Sequence, residues 1–280
     1  MNEGPSGGEE LNVREALAAA TKCLAAVTAT PRLDAELLLA HALGVEREDI
    51  LLSRLDEPSP DAFAALVRRR LAHEPIAYLI GRRAFWTIEL EVGPGALVPR
   101  PDSETLIEAA VAHFGASGPA RILDLGTGPG TLLLAALDQW PAASGLGVDA
   151  SADALAYARR NARGRAEFRL GDWGEEIVGR FDLILCNPPY VEAAADLPPD
   201  VARHEPPAAL YAGADGLDAY RILARQFPRL LAPGGIICLE IGAGQQEAVS
   251  LLMAAEGFTI ESRKDLNGII RCLILSAGDR

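Results

Sequence analysis

The sequence lacks the features that mark membrane and secreted proteins. No apolar run approaches the roughly 20 residues that a transmembrane helix needs. The first ten residues, MNEGPSGGEE, contain no basic stretch followed by an apolar one, so no secretory signal is expected. We therefore expect a cytoplasmic protein that does not bind membranes.

Cysteine and basic residues are also scarce. The four cysteines form no CxxC pair, which argues against a metal site and a disulfide framework. Lysine and arginine number 26 against 39 acidic residues, a net charge of −13, whereas nucleic-acid binding calls for clustered positive charge. The short runs Arg68, Arg69, Arg70 and Arg82, Arg83 are better explained as solvated helix faces. Stable nucleic-acid binding is not expected.

The pattern of apolar and polar residues changes along the chain. Residues 11–83 space apolar residues three to four apart, which predicts a small helical domain. One of its helices is expected over residues 60–72, with Ser59 as N-cap. The expected organisation is a disordered tail over residues 1–10, the helical domain over 11–83, a β-hairpin connector over 84–98 that turns at Gly93-Pro94-Gly95, and a catalytic domain over 99–280.

Strands and helices alternate in the catalytic domain, which predicts a parallel sheet covered by helices on both faces. The strands are expected over residues 121–125, 144–149, 166–170, 181–186, 235–241, 258–265 and 270–276, with helices over 131–139, 152–162 and 220–231. Asn267-Gly268 is a hairpin-turn signal between the last two strands. The prediction is an α/β, Rossmann-like domain whose mostly parallel seven-stranded sheet ends in an antiparallel hairpin.

A glycine-rich loop follows the first of these strands. It consists of Gly126, Thr127, Gly128, Pro129 and Gly130, and Asp124 lies in the strand two residues before the first glycine. Glycine lets the backbone turn sharply and approach a ligand, and GxGxG spacing differs from the GxGxxG of dinucleotide sites. Asp124 would repel a phosphate but attract the ammonium group of a methionine. Taken alone, the motif favours a ligand site and leaves a mere tight turn as the less favoured alternative.

Two further strands end in acidic residues. Asp149, at the end of the second strand, is placed to accept hydrogen bonds from both hydroxyls of a ribose. Asp172, after the third strand, would meet an adenine amino group while Trp173 packs on the ring, although Trp173 alone could be an ordinary packing residue. Three successive acids along one sheet edge predict a site for S-adenosyl-L-methionine, with S-adenosyl-L-homocysteine as product.

The tetrapeptide Asn187-Pro188-Pro189-Tyr190 follows the strand at residues 181–186, at the same edge of the sheet. The Asn187 side-chain oxygen and the Pro188 carbonyl offer two fixed acceptors for the hydrogens of an NH₂ group, and the prolines stiffen the platform. Tyr190 supplies a flat face. No strong base is needed, because the proton leaves after methyl transfer. The motif predicts methylation of an amide or amine nitrogen.

In these motifs and in further segments, the chain resembles the HemK-type (PrmC) glutamine methyltransferases that modify peptide chain release factors. The resemblance covers roughly residues 30–275 and includes the segments RLDAELLL at 32–39, PIAYLIG at 75–81, PRPDSE at 99–104, the stretch 205–217 and LEIG at 239–242. The chain departs from the family pattern at His204 and Pro207, and Ser103 replaces the usual threonine. A role for His204 as a base is disfavoured, since the mechanism requires none.

The resemblance implies a Rossmann-like S-adenosylmethionine-dependent methyltransferase with a small N-terminal helical domain that helps to grip a protein substrate. It implies that residues 126–130, Asp149, Trp173 and Asn187 contact the cofactor, and that residues 187–190 hold the glutamine of a Gly-Gly-Gln loop in class I release factors. Arg100 and Glu205 are further substrate-binding candidates. The expected enzyme is a monomer that methylates the glutamine N5 atom and so tunes translation termination.

Three alternatives stay open from the sequence. A glutamine methyltransferase that acts on a ribosomal protein is the first, and only the resemblance of the N-terminal domain distinguishes it from a release factor enzyme. An N6-adenine methyltransferase would bind an amine through the same NPPY motif, but it would need a basic groove to bind the nucleic acid. A catalytically inactive protein that binds the cofactor is disfavoured by the intact Asn187, Tyr190 and acidic residues.

Overall fold

The computed structural model describes residues 11–278, and the predicted disordered tail over residues 1–10 lies outside them. The chain forms two compact units. One contains the residues up to Gly81 together with Pro198–His204, and the other contains Arg82–Leu197 and the chain from Glu205 onward. None of the helices described within residues 11–278 combines the length and apolar character that crossing a bilayer requires.

The elements of the described chain are numbered in sequence order. The helices are α1 (Val13–Leu24), α2 (Pro31–Leu43), α3 (Arg47–Ser53), α4 (Asp61–Leu71), α5 (Ile76–Ile80), α6 (Glu104–Phe114), α7 (Thr131–Gln139), α8 (Ala152–Ala162), α9 (Pro199–His204), α10 (Asp218–Leu230) and α11 (Gln246–Ala255). The strands are β1 (Arg82–Phe85), β2 (Ile88–Glu91), β3 (Arg121–Leu125), β4 (Ser144–Asp149), β5 (Glu167–Leu170), β6 (Phe181–Cys186), β7 (Leu231–Glu240), β8 (Phe258–Lys264) and β9 (Ile270–Ala277).

Helices α1–α5 and α9 make up the first unit, whose core is apolar. Leu17 and Leu24 of α1 and Leu38 and Leu39 of α2 are fully buried in it, and each such side chain stabilises the fold by about 1.5–3 kcal/mol. The helix predicted over residues 60–72 forms as α4, but Ser59 is not its N-cap. Pro60 takes that position without a side-chain hydrogen bond, and the Ser59 N–H donates to Leu11 O (2.9 Å).

The arginine run in α4 is only partly a solvated face. Arg70 is buried, and its Nε donates a hydrogen bond to Asp34 Oδ2 of α2 (2.9 Å). Asp34 Oδ1 accepts from the hydroxyl of Thr30 (3.0 Å). Solvation is therefore the wrong explanation for Arg70, whose charge is paired and hydrogen-bonded between two helices, as buried charges must be.

A two-stranded hairpin of β1 and β2 begins the second unit. Its turn lies at Trp86 and Thr87, between Phe85 and Ile88, and not at Gly93-Pro94-Gly95 as predicted. Trp86 adopts a left-handed backbone with φ of +54°, and its N–H donates to Glu104 Oε1 (2.8 Å). Residues 96–98 form no strand. A non-glycine residue rarely adopts this conformation, so the sequence pattern did not reveal the turn.

The main sheet has the strand order β5-β4-β3-β6-β7-β9-β8, with β9 antiparallel to both neighbours and the other adjacent pairs parallel. This confirms the predicted Rossmann-like α/β fold with seven strands and a C-terminal hairpin, in which Asn267 and Gly268 lie in the connecting loop. The chain runs outward from β3 through β4 to β5 and then returns to β6 on the other side of β3. Such a reversal opens a crevice at the carboxyl ends of β3 and β6.

Candidate active site

A cavity of about 310 Å³ lies in this crevice, entirely within the second unit. Most of the predicted site residues line it: Arg100, Asp124, Gly126, Thr127, Gly128, Pro129, Asp149, Asp172, Trp173, Asn187 and Pro189. The other four, Gly130, Pro188, Tyr190 and Glu205, are not among its described lining residues. The acids at or just beyond the carboxyl ends of three separate strands therefore converge on one cavity.

The glycine-rich loop is built from positive-φ turns. Gly126 has φ of +72°, and a Cβ atom there would stand 3.2 Å from the Trp173 ring. Gly130 has φ of +89° and forms the N-cap of α7. The amide groups of Gly126 and Thr127 both donate to Val148 O of β4 (2.9 and 3.0 Å). A side chain at Gly126 would thus strain the backbone and crowd the cavity wall.

Asp124, near the end of β3 and just before this loop, is fully buried. Its Oδ2 accepts hydrogen bonds from the Thr127 hydroxyl (2.6 Å) and from Leu133 N (3.2 Å). Its Oδ1 is buried without a hydrogen-bond partner in the described chain. Burial raises the pKa of Asp124 to about 7, although both hydrogen bonds oppose the rise. The buried Asp124 carboxyl is therefore short of one hydrogen bond among the described residues.

Asp149 joins the end of β4 to the glycine-rich loop. Its Oδ2 accepts from Gly128 N (2.8 Å) and its Oδ1 from Ser151 N (2.8 Å). Burial raises the pKa of Asp149, while these backbone amides lower it. Each carboxylate oxygen has a second lone pair, so a carboxylate held in this way can also accept from a ligand in the cavity.

Trp173 closes another side of the cavity and also packs against the core. Its backbone is left-handed, with φ of +50°, a conformation that costs an L-residue roughly 1–2 kcal/mol. The indole lies against Gly126. Trp173 is therefore both a packing residue and a wall of the cavity, so the two explanations offered by the sequence are compatible.

Asn187 begins the NPPY segment directly after β6. Its Nδ2 donates to the hydroxyl of Ser103 (3.1 Å). The Tyr190 hydroxyl donates to Glu240 Oε1 (3.4 Å), and the Tyr190 carbonyl accepts from Gln245 Nε2 (3.0 Å). Burial and the neighbouring Glu240 raise the pKa of Tyr190 to about 12. Hydrogen bonds thus hold both ends of the motif.

Ser103, Glu240 and Gln245 hydrogen-bond to the NPPY segment, and the sequence did not indicate these contacts. Ser103 ends a 3₁₀ helix at Pro101–Ser103, and Glu240 ends β7; both are almost completely buried. Burial raises the pKa of Glu240 to about 7, while the Ser103 hydroxyl, Arg271 and the Tyr190 hydroxyl lower it. Ser103 and Glu240 lie in segments that carry the family resemblance, which is the only sequence signal for them.

Arg100 and Glu205 form an ion pair, with Arg100 Nη2 at 2.5 Å from Glu205 Oε1. Glu205 is buried, and its Oε2 accepts from Val98 N (3.2 Å). Arg100 lines the cavity, whereas the Glu205 carboxylate is engaged in holding the loop that precedes Arg100. His204 is not among the cavity lining; its Nε2 lies 3.4 Å from Ala72 O within the helical unit.

Comparisons with known proteins agree with this geometry. The family described as "PrmC N-terminal domain" matches residues 15–81, and the family described as "Methyltransferase domain" matches residues 117–261. A ribosomal protein L11 methylase from Lactobacillus delbrueckii subsp. bulgaricus has the same fold, with a TM-score of 0.51 and 20% identity over 68% of this chain and 86% of that one. The fold and site define a methyltransferase of the Rossmann-like class.

Two relatives show more closely which family of methyltransferases the chain is similar to. The chain is 47% identical to a release factor glutamine methyltransferase of Rhodospirillum rubrum, over 87% of this chain and 78% of the relative. It is 40% identical to one of Agrobacterium fabrum, over 96% of this chain and 98% of the relative. The chain therefore belongs to the release factor glutamine methyltransferase family, which confirms the resemblance drawn from its motifs.

Proposed function

We propose that this protein transfers the methyl group of S-adenosyl-L-methionine to the side-chain amide nitrogen, N5, of the glutamine in the Gly-Gly-Gln motif of class I release factors. The observation that carries the proposal is the arrangement at the crevice. A glycine-rich, acidic cradle and Asn187 line one cavity, in a chain whose relatives over most of its length are release factor glutamine methyltransferases.

The cavity has the chemistry that the cofactor requires. Asp124 Oδ1 is buried without a partner in the described chain, and an ammonium group would satisfy it. Asp149 offers its remaining lone pairs to ribose hydroxyls, and Trp173 offers an aromatic face for adenine next to Asp172. When bound, S-adenosyl-L-methionine supplies an electrophilic methyl group on a sulfonium. These residues fit it, and we assign them to it.

The acceptor site is assigned to the NPPY segment. The Asn187 Nδ2 is engaged with Ser103, so its Oδ1 is available to accept one hydrogen of the glutamine NH₂ group. The Pro188 carbonyl accepts the other. Two acceptors in the amide plane fix the nitrogen and leave its lone pair to point out of that plane toward the methyl donor, which is an orientation effect. The proton that the nitrogen loses passes to water afterwards.

The protein substrate is also part of the proposal. We assign the helical unit, which matches the PrmC N-terminal domain, a role in gripping the release factor. The enzyme is proposed to act as a monomer in the cytoplasm and without stable nucleic-acid contacts.

A panel of acceptors tests the proposal. The purified enzyme is incubated with methyl-labelled S-adenosyl-L-methionine and a class I release factor, the same factor with its Gly-Gly-Gln glutamine changed to alanine, ribosomal proteins, or duplex DNA. Label on the wild-type factor alone is the expected result. Label on the ribosomal proteins, on DNA or on the glutamine-to-alanine factor would contradict the proposed acceptor, and no label on any of them would contradict the proposed activity.

A further inference from the structure

The NPPY segment is linked to two buried residues that lie far away in sequence. Asn187 Nδ2 donates to Ser103 Oγ (3.1 Å), 84 positions earlier in the chain. Tyr190 donates to Glu240 Oε1 (3.4 Å), 50 positions later. Ser103 is 2% exposed and Glu240 is 1% exposed. The Ser103 hydroxyl also lies close enough to the Glu240 carboxyl to act on its charge. The Asn187–Ser103 and Tyr190–Glu240 pairs therefore lie beside each other, and Glu240 Oε2 is buried without a hydrogen-bond partner in the described chain.

We propose that Ser103 and Glu240 are positioning residues that set which way the Asn187 side-chain amide faces, with Glu240 fixing the direction of the Ser103 hydroxyl. The inference rests on the proposed function, in which Asn187 Oδ1 accepts a hydrogen from the substrate amide.

The orientation of Asn187 matters because its amide has two chemically opposite ends. Rotation by about 180° exchanges the acceptor Oδ1 with the donor Nδ2 at little cost in shape. In the rotated state two N–H groups would face the NH₂ of the substrate glutamine, and donors facing donors repel. Only the state seen here, with Nδ2 on Ser103, leaves Oδ1 to accept from the substrate.

Ser103 alone cannot select this state, because a serine hydroxyl both donates and accepts. Glu240 removes the ambiguity. Above its pKa of about 7 the Glu240 carboxyl is ionised and only accepts. Its Oε2 is buried without a partner in the described chain, so it can take the single proton of the Ser103 hydroxyl. The Ser103 oxygen is then left as an acceptor for the Asn187 NH₂ group. The Tyr190 hydroxyl donates to the same carboxylate. Glu240 therefore gives the whole chain of hydrogen bonds one direction.

The backbone supports this arrangement at both ends. Cys186 pairs with Leu239 in the parallel ladder of β6 and β7, so Asn187 and Glu240 leave the same sheet edge on adjacent strands. The 3₁₀ turn that carries Ser103 is held by Asp102, whose Oδ2 accepts from Arg271 Nη2 of β9 (3.4 Å). Rigid strands and an anchored turn thus position these side chains.

The first test compares Ser103→Ala with Ser103→Thr in the full-length enzyme, using a release factor as acceptor. Loss of the hydroxyl is expected to lower kcat about tenfold, the effect of losing one orienting hydrogen bond. The dissociation constant for S-adenosyl-L-methionine should stay within about twofold, and Ser103→Thr should restore kcat to within about twofold. Glu240→Gln, which can donate as well as accept, should lower kcat severalfold.

A matched control removes a serine hydrogen bond elsewhere in the same unit. The Ser144 hydroxyl donates to Ala120 O (3.2 Å) at the beginning of β4, the edge of the sheet opposite to the cavity. Ser144→Ala should keep kcat and the cofactor dissociation constant unchanged.

A second readout does not depend on activity. The sequence contains five asparagines, at positions 2, 12, 161, 187 and 267, so selective ¹⁵N-asparagine labelling gives few side-chain signals, and Asn187→Ala identifies the one from Asn187. Its NH₂ hydrogens should exchange slowly with solvent in the wild type and in Ser144→Ala. They should exchange at least about tenfold faster in Ser103→Ala.

The outcomes separate the inference from the function on which it rests. A Ser103→Ala enzyme with wild-type kcat would overturn the inference, as would equal impairment of Ser103→Thr, a loss confined to cofactor affinity, or unchanged exchange at Asn187. A wild-type enzyme that transfers no methyl to the release factor would remove the proposed function instead. In that case the exchange measurement still decides whether Ser103 holds Asn187.

Discussion

The Thr127 hydroxyl donates a 2.6 Å hydrogen bond to one carboxylate oxygen of Asp124, while the other oxygen is buried without a partner in the described chain. This asymmetry leaves the Asp124 carboxyl short of hydrogen bonds, and burial raises its pKa to about 7. A cationic ligand that contacts the unpaired oxygen would favour the ionised form. Binding of the cofactor and ionisation of Asp124 should therefore be coupled.

We predict that affinity for S-adenosyl-L-methionine falls as pH is lowered through about 7. The free Asp124 is protonated below its pKa of about 7, and the ammonium of the cofactor needs the carboxylate. The dissociation constant should rise by up to about tenfold per pH unit below that point. Calorimetric titrations in buffers of different ionisation enthalpy should also detect proton release on binding near pH 7. A dissociation constant that is flat between about pH 5.5 and 8 would contradict the role of Asp124.

Truncation of Asn187 should impair turnover, whereas truncation of Asp149 should impair cofactor binding. Asn187→Ala should lower turnover on the release factor by about a hundredfold or more, because it orients the acceptor nitrogen, with cofactor affinity within about threefold of the wild type. Asp149→Ala should weaken cofactor binding first, because the carboxylate also holds Gly128 N at 2.8 Å. Steady-state kinetics and cofactor titration check both, and the reversed pattern would refute the two assignments.

Glu240 should make the methyltransferase unit less stable at high pH. Its pKa is raised from 4.5 to about 7 in the folded state, so between these values the folded protein binds more protons than the unfolded one. The free energy of unfolding should therefore fall as pH rises across this window, by about 3 kcal/mol from this group.

The variant Glu240→Gln isolates this contribution, because Asp124 titrates in both proteins. Denaturant unfolding of the cofactor-free enzymes should show the variant gaining stability relative to the wild type as pH rises from about 4.5 to about 7. A difference that is constant across this window would show that the pKa of Glu240 is not raised in the fold.

The helical unit should depend on its buried ion pair. Asp34→Ala leaves Arg70 charged and buried, which should cost about 3–5 kcal/mol of stability in that unit. The matched control is Asp56→Ala, which breaks an exposed pair with Arg14 and should cost less than about 1 kcal/mol. Limited proteolysis and denaturant unfolding of the full chain measure both. Equal effects of the two substitutions would contradict the buried role of Arg70.

Much of the sheet could be predicted from the sequence, because sharp turns bound its strands. The strands over residues 121–125, 144–149 and 181–186 and the helices over 131–139 and 152–162 form with the predicted bounds. Strand β7 begins earlier than predicted, at Leu231. It pairs with β6 through a register shift between Phe181 and Leu183, and the proline and glycines in that irregular part read as a turn.

The residues that line the cavity could be predicted from the sequence, whereas the contacts that support them could not. Asp124, Asp149 and Asp172 lie at or just beyond the carboxyl ends of β3, β4 and β5. Because the carboxyl ends of parallel strands share one edge of the sheet, the spacing of these acids was enough to place them together. Ser103 meets Asn187 across 84 positions, and no local pattern encodes such a contact. Trp86 turns the hairpin with a positive φ that its residue type does not suggest.

The most direct test of the account identifies the methylated atom. A class I release factor methylated with labelled S-adenosyl-L-methionine is digested, the labelled peptide is located by tandem mass spectrometry, and that peptide is hydrolysed in acid. A methyl group on glutamine N5 must place the label in the Gly-Gly-Gln peptide and release it as methylamine, with glutamate left behind. Label on another residue, or label released as methanol from an ester, would contradict transfer to an amide nitrogen held by Asn187.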